Sequence, residues 1–306
     1  MKESWLACPM SKSAKLVFFG NERLATGVST DCPVLHSLIK DGYEISAIVS
    51  SYSMGQSRSA RGLEIEKVAK AHAIPLLLPE KLSEILDRIT AYGAEAGVLV
   101  AYGKIIPAPI IDIFPKGIIN IHPSLLPRYR GPTPIETAIL DGASDTGVSL
   151  MKLASKMDAG PIYVQQKIKL NGGETKQILT DKLLNLGLKL LSAELPQILD
   201  EAKNPMPQND RLATYTKLIQ KADGALDFKK SAEQLEREVR AYAGWPKSQA
   251  KIFDHDVIVT KARAAKDESG DDLFIKCQPG YLEIQELVAP SGHIISGADF
   301  IRGYKK

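Results

Sequence analysis

The chain has 306 residues, is 44% hydrophobic, and sets 39 Lys and Arg against 36 Asp and Glu for a net charge of +3. That is enough apolar material for two packed domains, and too little excess charge to suggest a disordered tail or a nucleic-acid partner on bulk grounds. Three scattered cysteines, Cys8, Cys32 and Cys277, argue against a disulfide scaffold or a Cys-x-x-Cys zinc site and for a reducing, cytoplasmic setting, and no apolar run reaches the roughly 18 residues of a membrane span.

Residues 1–14 show no periodic pattern and are expected to be an unstructured N-terminal extension, with Met10 placed just ahead of the first strand. From there, short apolar runs alternate with helical patterns, the sign of a mostly parallel sheet covered on both faces. Strands are expected at Lys15–Gly20, Glu44–Ser50, Ile74–Leu78, Ala96–Val100 and Gly117–His122. Helices are expected at Cys32–Lys40, Leu63–Ala71 and Leu82–Tyr92. Thr133-Pro134-Ile135-Glu136 reads as a helix start with a capping box, and Gly142 as its end. Two strands, Thr146–Leu153 and Ile162–Leu170, should pair antiparallel around Asp158-Ala159-Gly160. A long helix follows over Thr175–Ala202, with a kink expected at Pro196.

The polar, proline-broken stretch 203–210 is the best linker, dividing a domain at 15–202 from one at 211–306. The second domain opens with a helix over Ser231–Tyr242, capped by Ser231 and Gln234, and continues with four short β-like runs that suggest a small barrel. Tyr242 and Trp245 read as core aromatics in preference to an exposed pair facing RNA. The segment Gly20–Gly27 lacks the Gly-x-Gly-x-x-Gly spacing of a dinucleotide site.

Chemistry concentrates in Gly117–Gly131. Side chains two apart on a strand share a face, so Asn120 and His122 point one way while Ile119 and Ile121 point the other. Pro123 stops the pairing and opens a Ser124-Leu125-Leu126-Pro127 loop. An amide donor beside an imidazole suits a developing oxyanion. A carboxylate would pair with the ring and orient it; Asp158, in a tight turn, is the candidate. The remaining histidines are scattered and no metal site is expected.

Asn120-Ile121-His122-Pro123-Ser124-Leu125-Leu126-Pro127, with Asp158-Ala159-Gly160-Pro161 downstream, resembles the 10-formyltetrahydrofolate-dependent formyltransferases. The stretches Arg128–Ile135, Ala213–Ile219, Asp223–Phe228 and Ala232–Pro246 are similar to the branch of that family acting on initiator methionyl-tRNA. The resemblance covers about residues 15–265. It implies an open Rossmann-like α/β sheet followed by an OB-like β-barrel, with Asn120, His122 and Asp158 catalytic. It further implies that 10-formyltetrahydrofolate, with no metal, lies along Ser124, Leu125, Leu126 and Pro127 near Ala101, Tyr102 and Gly103. For tRNA the cationic candidates are Arg58, Arg61, Arg128 and Arg130; DNA and membrane partners are not expected, and a monomer is.

Two departures stand out. Gly20-Asn21-Glu22-Arg23-Leu24 replaces the family's Gly-Thr-Pro-x-Phe, and the loop 51–62 is shorter and poorer in cations than the basic loop that enters the acceptor stem. The rivals within the same chemistry are a sugar-nucleotide N-formyltransferase and a formyltetrahydrofolate hydrolase, in which water replaces the amine.

Overall fold

The computed structural model describes residues 14–51, 64–269 and 272–305. The expected extension, apart from its last residue, and most of the loop bearing Arg58 and Arg61 lie outside the described residues. The first half builds β1 (Lys15–Gly20), α1 (Pro33–Lys40), β2 (Glu44–Val49), α2 (Glu64–Ala71), β3 (Leu76–Leu77), α3 (Leu86–Ala91), β4 (Ala96–Val100), α4 (Ala108–Ile111) and β5 (Ile118–His122). It continues with α5 (Pro134–Leu140), β6 (Asp145–Lys152), β7 (Ile162–Lys169) and α6 (Lys176–Leu199). The strands form one seven-stranded sheet in the order β3-β2-β1-β4-β5-β6-β7. Pairs from β3 to β5 are parallel, and β5–β6 and β6–β7 are antiparallel.

The order reverses between β1 and β4, and open α/β sheets present ligand crevices beyond the carboxyl ends of strands near such a switch. Strand β5 ends on that side. Its three isoleucines favour the extended state, and the alternation holds: Ile119 and Ile121 join the apolar layer that contains the leucines of α6, while Ile118 joins Phe19, Leu99 and Tyr102 on the other face. Burying each isoleucine contributes about 1.5–3 kcal/mol. Gly187 lets α6 approach closely, since a Cβ there would stand 2.5 Å from Ile121 Cγ2. The helix therefore braces β5 from the face opposite Asn120 and His122.

Several local expectations give way to tertiary partners. The third strand shrinks to two residues, and Leu82–Tyr92 divides into a 3₁₀ turn at Leu82–Ile85 and α3. The capping box at Thr133 does not form. Its hydroxyl donates instead to the Lys217 carbonyl at 2.8 Å, and Glu136 is buried facing Lys176 at 3.9 Å. Within the stretch 203–210, Met206 and Ile162 exchange two backbone hydrogen bonds of 2.8 Å, a bridge at the start of β7.

The second half contains α7 (Ala232–Ala241), β8 (Ser248–Ile252), β9 (His255–Ala265), β10 (Leu273–Lys276), β11 (Tyr281–Val288), β12 (Ile294–Ser296) and α8 (Gly297–Tyr304). Ser231 caps α7 through the Gln234 N–H at 3.1 Å. The Gln234 side chain does not complete the box; it bonds Glu238 and Arg237. The strands make an antiparallel sheet in the order β10-β11-β9-β8, with β12 also on β11. Register breaks along β11–β9 raise the local twist, giving the barrel-like curl expected from the sequence. Leu235, Val239, Leu282, Ile284 and Phe300 form its core.

Tyr242 is buried in the core cluster of the first half, and the partly buried Trp245 packs against that cluster. Lys176 Nζ, itself sealed from solvent, donates to the Trp245 carbonyl at 2.7 Å. No helix among the described residues is long and apolar enough to cross a membrane.

Candidate active site

The carboxyl end of β5 and the Asp158 turn converge. Asn120 is 5% exposed and, among the described residues, its side-chain amide has no hydrogen-bond partner, which leaves a nearly buried donor for a ligand. His122, two residues on, is 4% exposed. Its Nε2 lies 3.1 Å from the Tyr129 carbonyl, and its Nδ1 faces Asp158 Oδ1 at 3.7 Å. Both ring nitrogens thus look at acceptors. The 3.7 Å separation is longer than a hydrogen bond, so the Nδ1 edge keeps room for another oxygen. The other oxygen of Asp158, Oδ2, accepts the Gly131 N–H at 2.7 Å.

The loop after β5 is fixed by its own polar groups. Ser124 Oγ donates to the Arg128 carbonyl at 2.6 Å, and Ser149 Oγ donates to the Ser124 carbonyl at 2.6 Å. Gln165 Nε2 reaches both Ser149 Oγ and the Leu126 carbonyl at 2.8 Å. His122, Ser149 and Gln165 stand in register across β5, β6 and β7, so one row of side chains carries the imidazole and the loop's anchors together.

Of the residues expected at the folate, Leu126 and Pro127 line a cavity of about 370 Å³ with Ile162, Val164, Gln165 and Met206–Asn209. Ser124 is buried and turned to the Arg128 carbonyl, and Leu125 is half-buried. Ala101 and Gly103 follow β4 with φ of +54° and +77°. The Tyr102 ring lies in the core, edge-on to Phe19, leaving backbone rather than ring for a ligand to meet there. Ala101, Tyr102 and Gly103 do not line the cavity.

The two described arginines separate. Arg128 is exposed, over the Tyr129 ring at 5.2 Å and beside Asp145 at 3.5 Å. Arg130 is wholly buried, which corrects the expectation that it lies open to tRNA. Its guanidinium is occupied by Gln208, Asp210 and the Tyr215 hydroxyl. Its backbone pairs with Thr214 and Thr216 at 2.9 and 2.8 Å. The sequence marked neither Tyr129, Gly131 nor Gln208; Gln208 sat in a stretch whose prolines read only as a connector. Among the described residues no group of three or more His, Cys, Asp or Glu could hold a metal ion.

An amide, an imidazole and a carboxylate beyond the carboxyl end of β5 are groups that suit acyl transfer, and the comparisons give the class of the chain. Residues 50–195 match the formyl transferase family profile and residues 218–305 that of the formyl transferase C-terminal domain. In fold the chain is similar to an N-formyltransferase from Helicobacter canadensis, solved with folinic acid and dTDP-3-aminofucose: TM-score 0.64, 19% identity, 94% of this chain and 96% of that one. It is also similar to HypX from Aquifex aeolicus, solved with tetrahydrofolic acid: TM-score 0.67, 14% identity, 97% of this chain and 48% of that one.

In sequence it is 32% identical over 304 residues to a methionyl-tRNA formyltransferase of Pelobacter propionicus, covering 95% of this chain and 93% of the relative. It is 37% identical over 306 residues to that of Chloroflexus aurantiacus, covering 94% and 96%. The chain belongs to the methionyl-tRNA formyltransferase family.

Proposed function

We propose that this protein transfers the formyl group of 10-formyltetrahydrofolate to the α-amino group of initiator methionyl-tRNA. The observation that supports the mechanism is Asp158 Oδ1 facing His122 Nδ1 at 3.7 Å, two residues along β5 from the unpartnered Asn120 amide. The amine nitrogen attacks the formyl carbon, a new C–N bond forms, and the bond to N10 breaks. Charge that grows on the formyl oxygen is met by the Asn120 amide and by His122 Nδ1–H, while Nε2–H stays on the Tyr129 carbonyl. Asp158 takes the proton lost by the amine and, through water, returns it to N10, so the transfer is proton-neutral. Asn120's unpartnered amide suits such a donor, and the cavity beside the loop after β5 offers it room. Leu126 and Pro127 would pack on it, with the backbone at Ala101–Gly103 supporting its far side. We read 15–202 as the catalytic domain, 203–210 as its connection and 211–306 as the tRNA-holding domain, with Arg128 the described cation open to phosphate.

The test incubates purified protein with 10-formyltetrahydrofolate and charged initiator tRNA, an amino-sugar nucleotide, or buffer, and follows folate release. Release only with charged tRNA supports the reading. Release with the sugar nucleotide or in buffer favours an N-formyltransferase of sugars or a hydrolase. Asn120→Ala should lower turnover by roughly 10²–10³-fold, the loss usual for one oxyanion donor; an unimpaired variant removes Asn120 from the mechanism.

A further inference from the structure

Asp158 sits at φ +48°, a left-handed conformation that Asp adopts more readily than most residues bearing a Cβ but that remains uncommon. A hold on the turn comes from another part of the chain. Gln208 Nε2 donates to the Asp158 carbonyl at 2.8 Å and to the Gly160 carbonyl at 2.7 Å, so both amide hydrogens serve this one turn. Its Oε1 accepts from Arg130 Nε at 3.1 Å and Nη2 at 2.7 Å. This pattern fixes the amide's orientation, because the reverse would set its NH₂ against a guanidinium and its oxygen against two carbonyls. Arg130 cannot yield easily: it is fully buried and also bonds Asp210 at 2.7 Å.

We propose that Gln208 is a positioning residue for formyl transfer, gripping the backbone of the Asp158 turn so that the carboxylate meets His122 Nδ1. This rests on the role given to Asp158 above. The segment between the two halves is then part of the catalytic apparatus, and Arg130 is its anchor. A residue serving only to join the halves would have no reason to spend every hydrogen-bonding position on the turn and its anchor.

The test is a double-mutant cycle in formyl transfer with charged tRNA, using Gln208→Ala, Asp158→Asn and the pair, with thermal midpoints recorded for each. Gln208→Ala should lower kcat about 10- to 100-fold, as a displacement near 1 Å does, and leave both KM values within about threefold. In the Asp158→Asn background the same change should cost nothing further, because the amide acts only through that carboxylate. Gln208→Glu keeps its partner Arg130 but sets an oxygen against the two carbonyls, so it should be as slow as the alanine variant; it carries the test if Gln208→Ala loses its fold. Multiplying losses in the double variant, or normal kcat in Gln208→Ala beside a crippled Asp158→Asn, overturn the proposal alone. Near-normal turnover in Asp158→Asn overturns the role of Asp158 and this proposal with it.

Discussion

Gly160→Ala probes the active-site turn through a single methyl group. A Cβ at Gly160 would stand 1.9 Å from the Lys152 carbonyl oxygen, a strand atom fixed by pairing. Contacts closer than 3.0 Å essentially never occur, so the turn must retreat by roughly 1.1 Å or more. Gly160 lies two residues from Asp158, whose Oδ1 is already 3.7 Å from the ring it serves. A shift of that size costs on the order of 10² in rate, or about 2.7 kcal/mol in the barrier. Single-turnover formyl transfer at saturating substrates reads the effect, with thermal midpoint as the check on folding. Gly303→Ala is the control, since nothing lies within 4 Å of its added methyl, and it should turn over normally. If Gly160→Ala kept a rate within about threefold of the parent, the placement of Asp158 would not control the chemistry, and the reasoning would fail.

Other outcomes follow from the same structure. Burial pushes the Glu22 carboxyl up from the ordinary 4.5 to about 7, against the Val34 and Leu35 N–H groups that it accepts. The folded chain therefore holds a proton there that the unfolded chain has released. This contribution to stability is full below pH 4.5 and is lost as pH rises through 7, amounting to about 3 kcal/mol. Urea midpoints across that range should fall for the parent relative to Glu22→Gln; parallel curves would refute the assignment. Arg128→Ala should flatten the salt dependence of tRNA binding by about one unit of log–log slope, whereas an unchanged slope would remove it from the RNA surface. Arg130→Ala should instead lower stability, because the Gln208 carbonyl oxygen loses both its donors and the packed guanidinium is removed from the interior; a normal thermal midpoint would contradict that.

The sequence exposes what is local. The exit of β5 was readable because alternation and a proline act within five residues, and the pairing of β6 with β7 because one turn joins them. Helix α6 declared itself by spacing and by Thr175, whose hydroxyl accepts the Ile178 N–H at 3.4 Å. What stayed hidden depends on partners far along the chain. Thr133 has the right neighbours for a cap, yet the Lys217 carbonyl outcompetes them across 84 positions. Arg130 looks like any loop cation until Gln208, Asp210 and Tyr215 close around it. The meeting of His122 with Asp158 spans 36 positions: the tight turn made Asp158 a candidate, but no local pattern shows the two side by side.

The tie between Lys176 and the Trp245 carbonyl constrains how far this protein can be trimmed. A fragment ending near residue 202 would keep the reactive groups and the whole open sheet. It would also strip the buried Lys176 ammonium of its one hydrogen-bonded partner, leaving Glu136 at 3.9 Å, and leave the Arg130 guanidinium without Gln208, Asp210 or Tyr215. Biochemists seeking a minimal enzyme should therefore expect aggregation from that fragment. The shortest workable product would have to run past Trp245, well into the portion that a diagram would colour as a separate module.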